Sequence, residues 1–421
     1  MARGIIEGVG GTGFPAGWKE KASGEVFGGA IAKNDPVVLG RYGSWDTAID
    51  KIPDISGLGG TGTKKVDFYG DYMAISETGS ATPEVYIFKR TGVNDGFKLL
   101  STPSVVNGVV YVPAFSNDGN FLAIGRDSAP YFKIFSRSGD VFTLLSTPAT
   151  MPTDRVIDLE FSSSGTYLAV TTDTTAVFIY KKNGTNYEYL TSITAGVGVT
   201  SGVSFSSDET YLAITGATSS YIKVFKRSGD TFTALSNPTI LPTGAAYGGC
   251  TFSPDGNYLA VLHLTTPWVT IYKRSGDVFT KLANPSILPG INVGQYSSNI
   301  EFDPSSSFLA ITTYTASPFI MIYSISNDVF AKLPNPSTIP SSTVGGCAFS
   351  DDGLYIAVGI DSSPYSIIYR TQTKDIVSKI SHFQTNPLSW LPNNDNIGIA
   401  MQGGAIGETI RVNLFPALNN I

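Results

Sequence analysis

The sequence predicts an all-β protein, a single β-propeller of four-stranded blades, and three observations predict it. A ten-residue phrase recurs along the chain, clearest in Phe252-Ser-Pro-Asp-Gly-Asn-Tyr-Leu-Ala-Val261. Its alanine falls at Ala74, Ala123, Ala169, Ala213, Ala260, Ala310 and Ala357, so the gaps are 49, 46, 44, 47, 50 and 47 residues. A steady period in the forties with strand-like content marks a repeat architecture. Each repeat also divides into four short alternating segments bounded by turn residues, which is the make-up of a propeller blade. Finally, no stretch shows a sustained helical period with caps.

The elements follow in order within each repeat. A first strand ends at the anchor phenylalanine, which recurs as Phe115, Phe161, Phe205, Phe302 and Phe349, with a shorter copy at Phe68. Ser-Pro-Asp-Gly makes a tight turn, and Tyr-Leu-Ala-Val is a second, buried strand. An alternating third strand follows, as in Tyr221-Ile-Lys-Val-Phe-Lys226, and Arg227-Ser-Gly-Asp230 turns the chain into a fourth, Thr231-Phe-Thr-Ala-Leu235. Gly and Asp stand where turns need positive φ or a side-chain cap, and β-branched and aromatic residues alternate between them.

Seven anchors are clear, and the chain ends argue for an eighth blade. Trp390-Leu-Pro-Asn-Asn-Asp-Asn-Ile-Gly-Ile399 copies the phrase, with Gly398 in the alanine's place 41 residues after Ala357. Glu408–Phe415 would be its third strand. The missing fourth strand is found in Gly43-Ser-Trp-Asp-Thr-Ala-Ile49, which resembles Gly276–Leu282. The expectation is therefore eight blades over residues 36–416, seven being the alternative, with an N-terminal strand completing the last blade. Closing the ring would remove exposed strand edges. Residues 1–35 form a Gly-rich arm and 417–421 a tail.

The repeats resemble WD40-like β-propeller repeats of the Phe-Ser-Pro-Asp-Gly-x-Tyr-Leu-Ala-Val type, although Trp-Asp is absent from the expected strand ends. The companion phrase Tyr-Lys-Arg-Ser-Gly-Asp-x-Phe-Thr-x-Leu-x-Asn-Pro is similar to repeats in propeller proteins of tailed bacteriophages. Lys33-Asn-Asp-Pro-Val-Val-Leu39 resembles N-terminal segments of phage virion proteins. The resemblance implies a propeller fold and a virion context. Function does not follow from the fold, since propellers host unrelated activities.

Composition narrows the partners. Only 15% of the 421 residues are charged, against about a quarter in typical domains. Ser, Thr, Asn and Gly must therefore cover much of the surface, which suits a stable assembly outside the cell. The net charge is −6 and no Lys/Arg block tracks phosphates, so nucleic acid is not an expected partner. No secretory signal and no apolar run long enough to span a membrane is visible, so synthesis in a host cytoplasm and release in a virion is the expected route. Gly8-Val-Gly-Gly-Thr-Gly13 and Gly57-Leu-Gly-Gly-Thr-Gly62 lack the strand–helix setting and Lys-Ser/Thr ending of a phosphate loop. Ile5, Ile6, Phe14 and Trp18 are instead apolar anchors in the arm, suited to docking on other virion proteins.

Catalytic constellations are not apparent. His263 and His382 are 119 residues apart, and neither a nucleophile elbow nor a His-Glu-x-x-His motif occurs. Asp118, Asp255 and Asp352 recur because the turn recurs. Cys250 and Cys347 each precede an anchor phenylalanine by two residues, so alternation buries them, free, between blades. No metal site, cofactor or enzyme activity is expected.

Recognition is expected on the face carrying the loops after the second and fourth strands. Those loops vary, whereas the turns after the first and third repeat. The candidate binding residues there are Arg126, Asp127, Asp173, His263, Trp268, Tyr314 and Asp361. Trp and Tyr beside carboxylates suit a host-surface glycan or a protein contact. The favoured reading is a non-enzymatic structural and recognition component of a tailed-phage virion, in a tail, fibre or capsid-surface appendage. A cellular protein-interaction scaffold comes second. A lactonase-type enzyme comes third, and it would need carboxylates and an Asn converging on a metal in the central channel.

Overall fold

The computed structural model describes residues 50–370 except for 53, 56–57, 59–64, 78–84, 92–95, 101–108, 291–298, 315–316 and 337. Outside that span it describes only the backbone of Glu25–Phe27, Pro36–Ser44, Gln372–Lys379, Asn396–Ala400 and Val412–Phe415. The chain forms two compact units, one of residues 45–371 and one of residues 1–44 with 372–421.

The larger unit is a ring of four-stranded antiparallel sheets, each a meander whose first strand is innermost. Blades 1 to 6 span residues 66–99, 110–144, 156–194, 200–234, 250–281 and 300–332. Blade 7 consists of Val344–Phe349, Tyr355–Ile360 and Ser366–Arg370, with Asp50–Lys51 in the fourth position.

The recurring phrase explains the hairpin between the first two strands, most fully in blade 5. Ser253 Oγ donates to Asp255 Oδ1 (2.6 Å) and accepts the N–H of Tyr258 (2.9 Å), which fixes the turn. The same bonds recur at Ser116, Ser206 and Ser350. Gly256 occupies φ +71°, a left-handed conformation that a side chain resists. The second strand is buried on both faces because a blade packs against each, so it reads as a continuous apolar run. Its alanine is fully buried in all seven blades and faces the next blade, where close packing admits little more than a methyl group.

Seven apolar clusters fill the seven seams between neighbouring blades. In the seam between blades 4 and 5, Phe252 and Cys250 meet Tyr211 and Ala213, so alternation placed the cysteine correctly beside its phenylalanine. Both cysteines are free and buried. The decisive seam joins blade 7 to blade 1. There Tyr355, Ala357 and Ile368 pack on Phe68, Met73 and Phe88, together with Ile52 and Ile55.

The ring thus has seven blades, and the expectation of eight is corrected. Blade 7 packs on blade 1, which leaves no seam for another. Of the repeat around Trp390, only Asn396–Ala400 and Val412–Phe415 are described, and they join no four-stranded blade. Asn396–Ala400 pairs instead with Pro36–Ser44 and Val412–Phe415, in a five-stranded sheet that also holds Gln372–Lys379 and Glu25–Phe27. Residues 45–49, most of the expected closing strand, lie outside the described residues, as does most of the arm.

A second set of polar joints ties the blades at the hairpins after the third strand. Tyr258 Oη and Lys273 Nζ, both of blade 5, donate to Asp328 of blade 6 at 2.7 and 2.6 Å. The same trio is Tyr72, Lys89 and Asp140 at seam 1/2, Tyr167, Lys181 and Asp230 at seam 3/4, and Tyr211, Lys226 and Asp277 at seam 4/5. At seam 4/5 the Arg274 guanidinium of blade 5 also lies over the Tyr211 ring, 5.0 Å from its centroid. The Arg-Ser-Gly-Asp turn is therefore both a hairpin and a clasp.

Candidate functional site

A meander sheet puts the loops after its second and fourth strands on one face of the ring. Every candidate binding residue of the sequence analysis lies in the second-to-third-strand loops or at their borders, but the structure gives them different roles. Arg126 is buried, and its Nη1 donates to the carbonyls of Ser128 and Pro130 at 3.2 and 3.0 Å, holding its own loop. His263 is fully buried, with Nε2 3.0 Å from Thr270 Oγ1. Desolvation pushes its pKa down to about 4, so it is neutral near pH 7. Asp173 is half-buried and pairs with Arg155 at 2.6 Å. Asp127 is exposed, and Trp268, Tyr314 and Asp361 are partly exposed. These four stand on blades 2, 5, 6 and 7, so they are spread around the face rather than gathered at one point. Ile5, Ile6, Phe14 and Trp18 lie outside the described residues.

The face carries apolar groups that the sequence reading missed. Ile240 and Ile287, in the loops entering blades 5 and 6, leave 56% and 54% of their surface in water. Leu264 and Ile339 on the same face are also exposed. The loops of this face also hold aromatic residues with positive φ: Tyr221 (55°), Trp268 (64°), Phe319 (63°) and Tyr365 (66°). A bulky residue is rarely held there, and such strain gathers where the surroundings demand a fixed side-chain direction. The N–H of Trp268 donates to Thr265 O (2.6 Å) and that of Tyr365 to Ser362 O (2.7 Å), closing each turn. Two signals were available in the sequence. One is the Pro-aromatic pair at Pro130-Tyr131, Pro267-Trp268, Pro318-Phe319 and Pro364-Tyr365, and the other is the repeated Ile-Leu-Pro at Ile240 and Ile287.

The ring also encloses a central cavity of about 570 Å³, walled by the first strands. Lys65, Asp67, Asp158, Glu160, Glu301 and Asp351 line it. Asp67, Asp158, Glu160 and Glu301 are half-buried in this wall and Asp351 is exposed; desolvation dominates their titration. It raises Asp67 to about 7, against the N–H of Phe115, and Asp158 to about 6, against Lys65. It raises Glu160 to about 8 and Glu301 well above the ordinary glutamate range. Alternation from the anchor phenylalanine makes three of them legible, since Asp67, Glu160 and Glu301 each precede one and so face the channel. Among the described residues, no three His, Cys, Asp or Glu side chains converge closely enough to hold a metal ion. Asn299, also in the wall, is engaged with the Cys347 carbonyl at 2.9 Å.

Against this geometry, one likeness to a solved structure is informative. A chain in the crystal structure of the mitotic checkpoint complex superposes with a TM-score of 0.55 at 16% identity, covering 78% of this chain and 95% of that one. The fold is a WD40-like β-propeller. At that identity the likeness shows fold alone. No family model matches the chain, and no curated protein matches it either.

Proposed function

We propose that this WD40-like propeller is a non-enzymatic protein-interaction scaffold that recognises a partner through the face bearing Trp268. One observation carries the reading: exposed Ile240, Leu264, Ile287 and Ile339 share that face with the turn-locked aromatics. Aromatic anchors ringed by apolar surface are what a protein interface concentrates its energy in. Trp268, Tyr314, Asp127 and Asp361 supply the polar and aromatic contacts around them.

The test places a photo-crosslinking amino acid at Ile240 or Ile287, and at Val278 on the opposite face as control. The reading expects a discrete adduct from the first two positions only, abolished by Ile240→Asp with Ile287→Asp at unchanged melting temperature. Equal adducts from both faces, or none, would overturn it.

The phage-like companion phrase supports a narrower version, in which the partner belongs to a virion and the Ile5–Trp18 arm tethers the ring to other virion proteins. Its target would be a host-surface protein or glycan. Mass spectrometry of purified particles tests this, because the full chain should be present at fixed stoichiometry and a chain lacking residues 1–24 should be lost.

A further inference from the structure

A first strand has a sheet partner on one side only, so some of its main-chain N–H groups face the neighbouring blade and the channel. Buried N–H groups need acceptors. Four channel carboxyls meet that need, each across a seam. Asp67 Oδ2 accepts the N–H of Phe115 (2.6 Å), and Asp158 Oδ2 that of Val203 (3.1 Å). Glu160 Oε1 accepts the N–H of Phe205 (3.0 Å), and Glu301 Oε1 that of Phe349 (3.2 Å). At seam 4/5 the Ser204 hydroxyl does the same for Phe252 (3.1 Å). Asp67, Glu160, Ser204 and Glu301 all hold the position just before an anchor phenylalanine, so the clasp is a repeat feature.

The clasp itself needs only an uncharged oxygen acceptor, which a serine hydroxyl and a neutral carboxyl both supply. Charge is another matter, because several carboxyls share one enclosed wall. Blade 1 contributes Lys65 and Asp67, blade 3 Asp158 and Glu160, blade 6 Glu301, and blade 7 Asp351, while the Cys347 thiol, buried in seam 6/7, interacts with Lys65. Blade 5 adds the Cys250 thiol, and the inner strands of blades 2 and 4 line the wall with Val112, Pro113, Ala114 and Ser204. Among the described residues of the wall, Lys65 faces four half-buried carboxyls and the exposed Asp351.

We infer that the channel is a proton-linked seam, in which neutral carboxyls clasp the inner strands and their ionisation with rising pH loosens the ring. The direction follows from linkage. Asp67 and Glu160 titrate at about 7 and about 8 in the folded ring, against about 4 in an unfolded chain. The folded state then holds more protons between those limits, so stability falls as pH rises through them. Glu301 shifts in the same direction, since burial and the Asp67 charge both raise it.

The experiment compares the full chain with its Asp67→Asn, Glu160→Gln, Glu301→Gln variant, whose amide oxygens can still accept the N–H bonds. Melting temperatures are measured from pH 5.5 to 8.5 at constant ionic strength, with Lys65 common to both proteins. The wild type should lose ground steadily to the variant as pH rises, with a gap of roughly 3 °C or more at pH 8.5. Parallel curves would overturn the inference. If the triple variant does not fold, Glu160→Gln alone is compared in the same way. Infrared difference spectra provide a direct second reading. A protonated-carboxyl band in the wild type at pH 7, weakened by Glu160→Gln, is expected, and its absence would equally overturn the inference.

Discussion

Phe252 shows how far a single residue's position can be deduced from its neighbours. Alternation from the turn put it between blades, and the structure buries it with Tyr211, Ala213 and Phe279. Phe252→Ala removes that contact and leaves a cavity, so a loss of about 3–5 kcal/mol is expected by chemical denaturation. A loss under about 1 kcal/mol would contradict the packing described. The same reasoning, carried one residue back, would have found Glu160 and Glu301. They went unnoticed because isolated acidic residues in a strand look like solvent-facing positions until the inner strands are known to enclose a channel. His263 was legible as a strand-end histidine, but its burial beside Thr270 of the next strand was not.

At the scale of the element, the hairpins were the most legible part of the chain. Gly and Asp in Arg-Ser-Gly-Asp announced a turn, and the structure has one, but the sequence did not disclose that the aspartate reaches the previous blade. That function is set by blade-to-blade geometry rather than by local propensity. Asp277 illustrates the consequence for pH. The Lys226 ammonium and the Tyr211 hydroxyl hold its carboxylate below the usual range. A lowered folded-state pKa contributes stability above the unfolded value, about 4 for an aspartate, and loses it as pH falls. Asp277→Asn should therefore melt below the wild type at pH 7, and the two melting temperatures should converge on acidification toward pH 3. A gap that persists unchanged at pH 3 would show that the joint acts through packing alone. The seam between blades 2 and 3 has no such trio. There Phe121 replaces the tyrosine, Lys182 Nζ lies 4.5 Å from its ring centroid and 3.9 Å from Asp118 of blade 2, and Tyr187 packs edge-on at 5.4 Å.

For the molecule as a whole, the repeat fixed the blade type but not the blade number. The Trp390 segment has the phrase's pattern, yet a pattern does not say which sheet a strand joins. The ring closes where the accumulated angle between blades completes a turn, a property of seven seams together that no one repeat contains. Tyr355, Ala357 and Ile368 packing on Phe68 and Met73 settle the count, and Ile52 and Ile55 pack into that same seam. The larger unit therefore holds all seven of its seams within residues 45–371. A chain of residues 45–371 is expected to fold as a soluble monomer that melts in one cooperative transition. A chain starting at Gly57 lacks Asp50–Lys51, leaving the edge of Ser366–Arg370 unpaired, and it lacks two apolar side chains of the closing seam. It should melt well below the 45–371 chain or aggregate. Equal melting temperatures for the two would mean that blade 7 needs no fourth strand. Aggregation of the 45–371 chain itself would mean that the ring depends on the five-stranded unit.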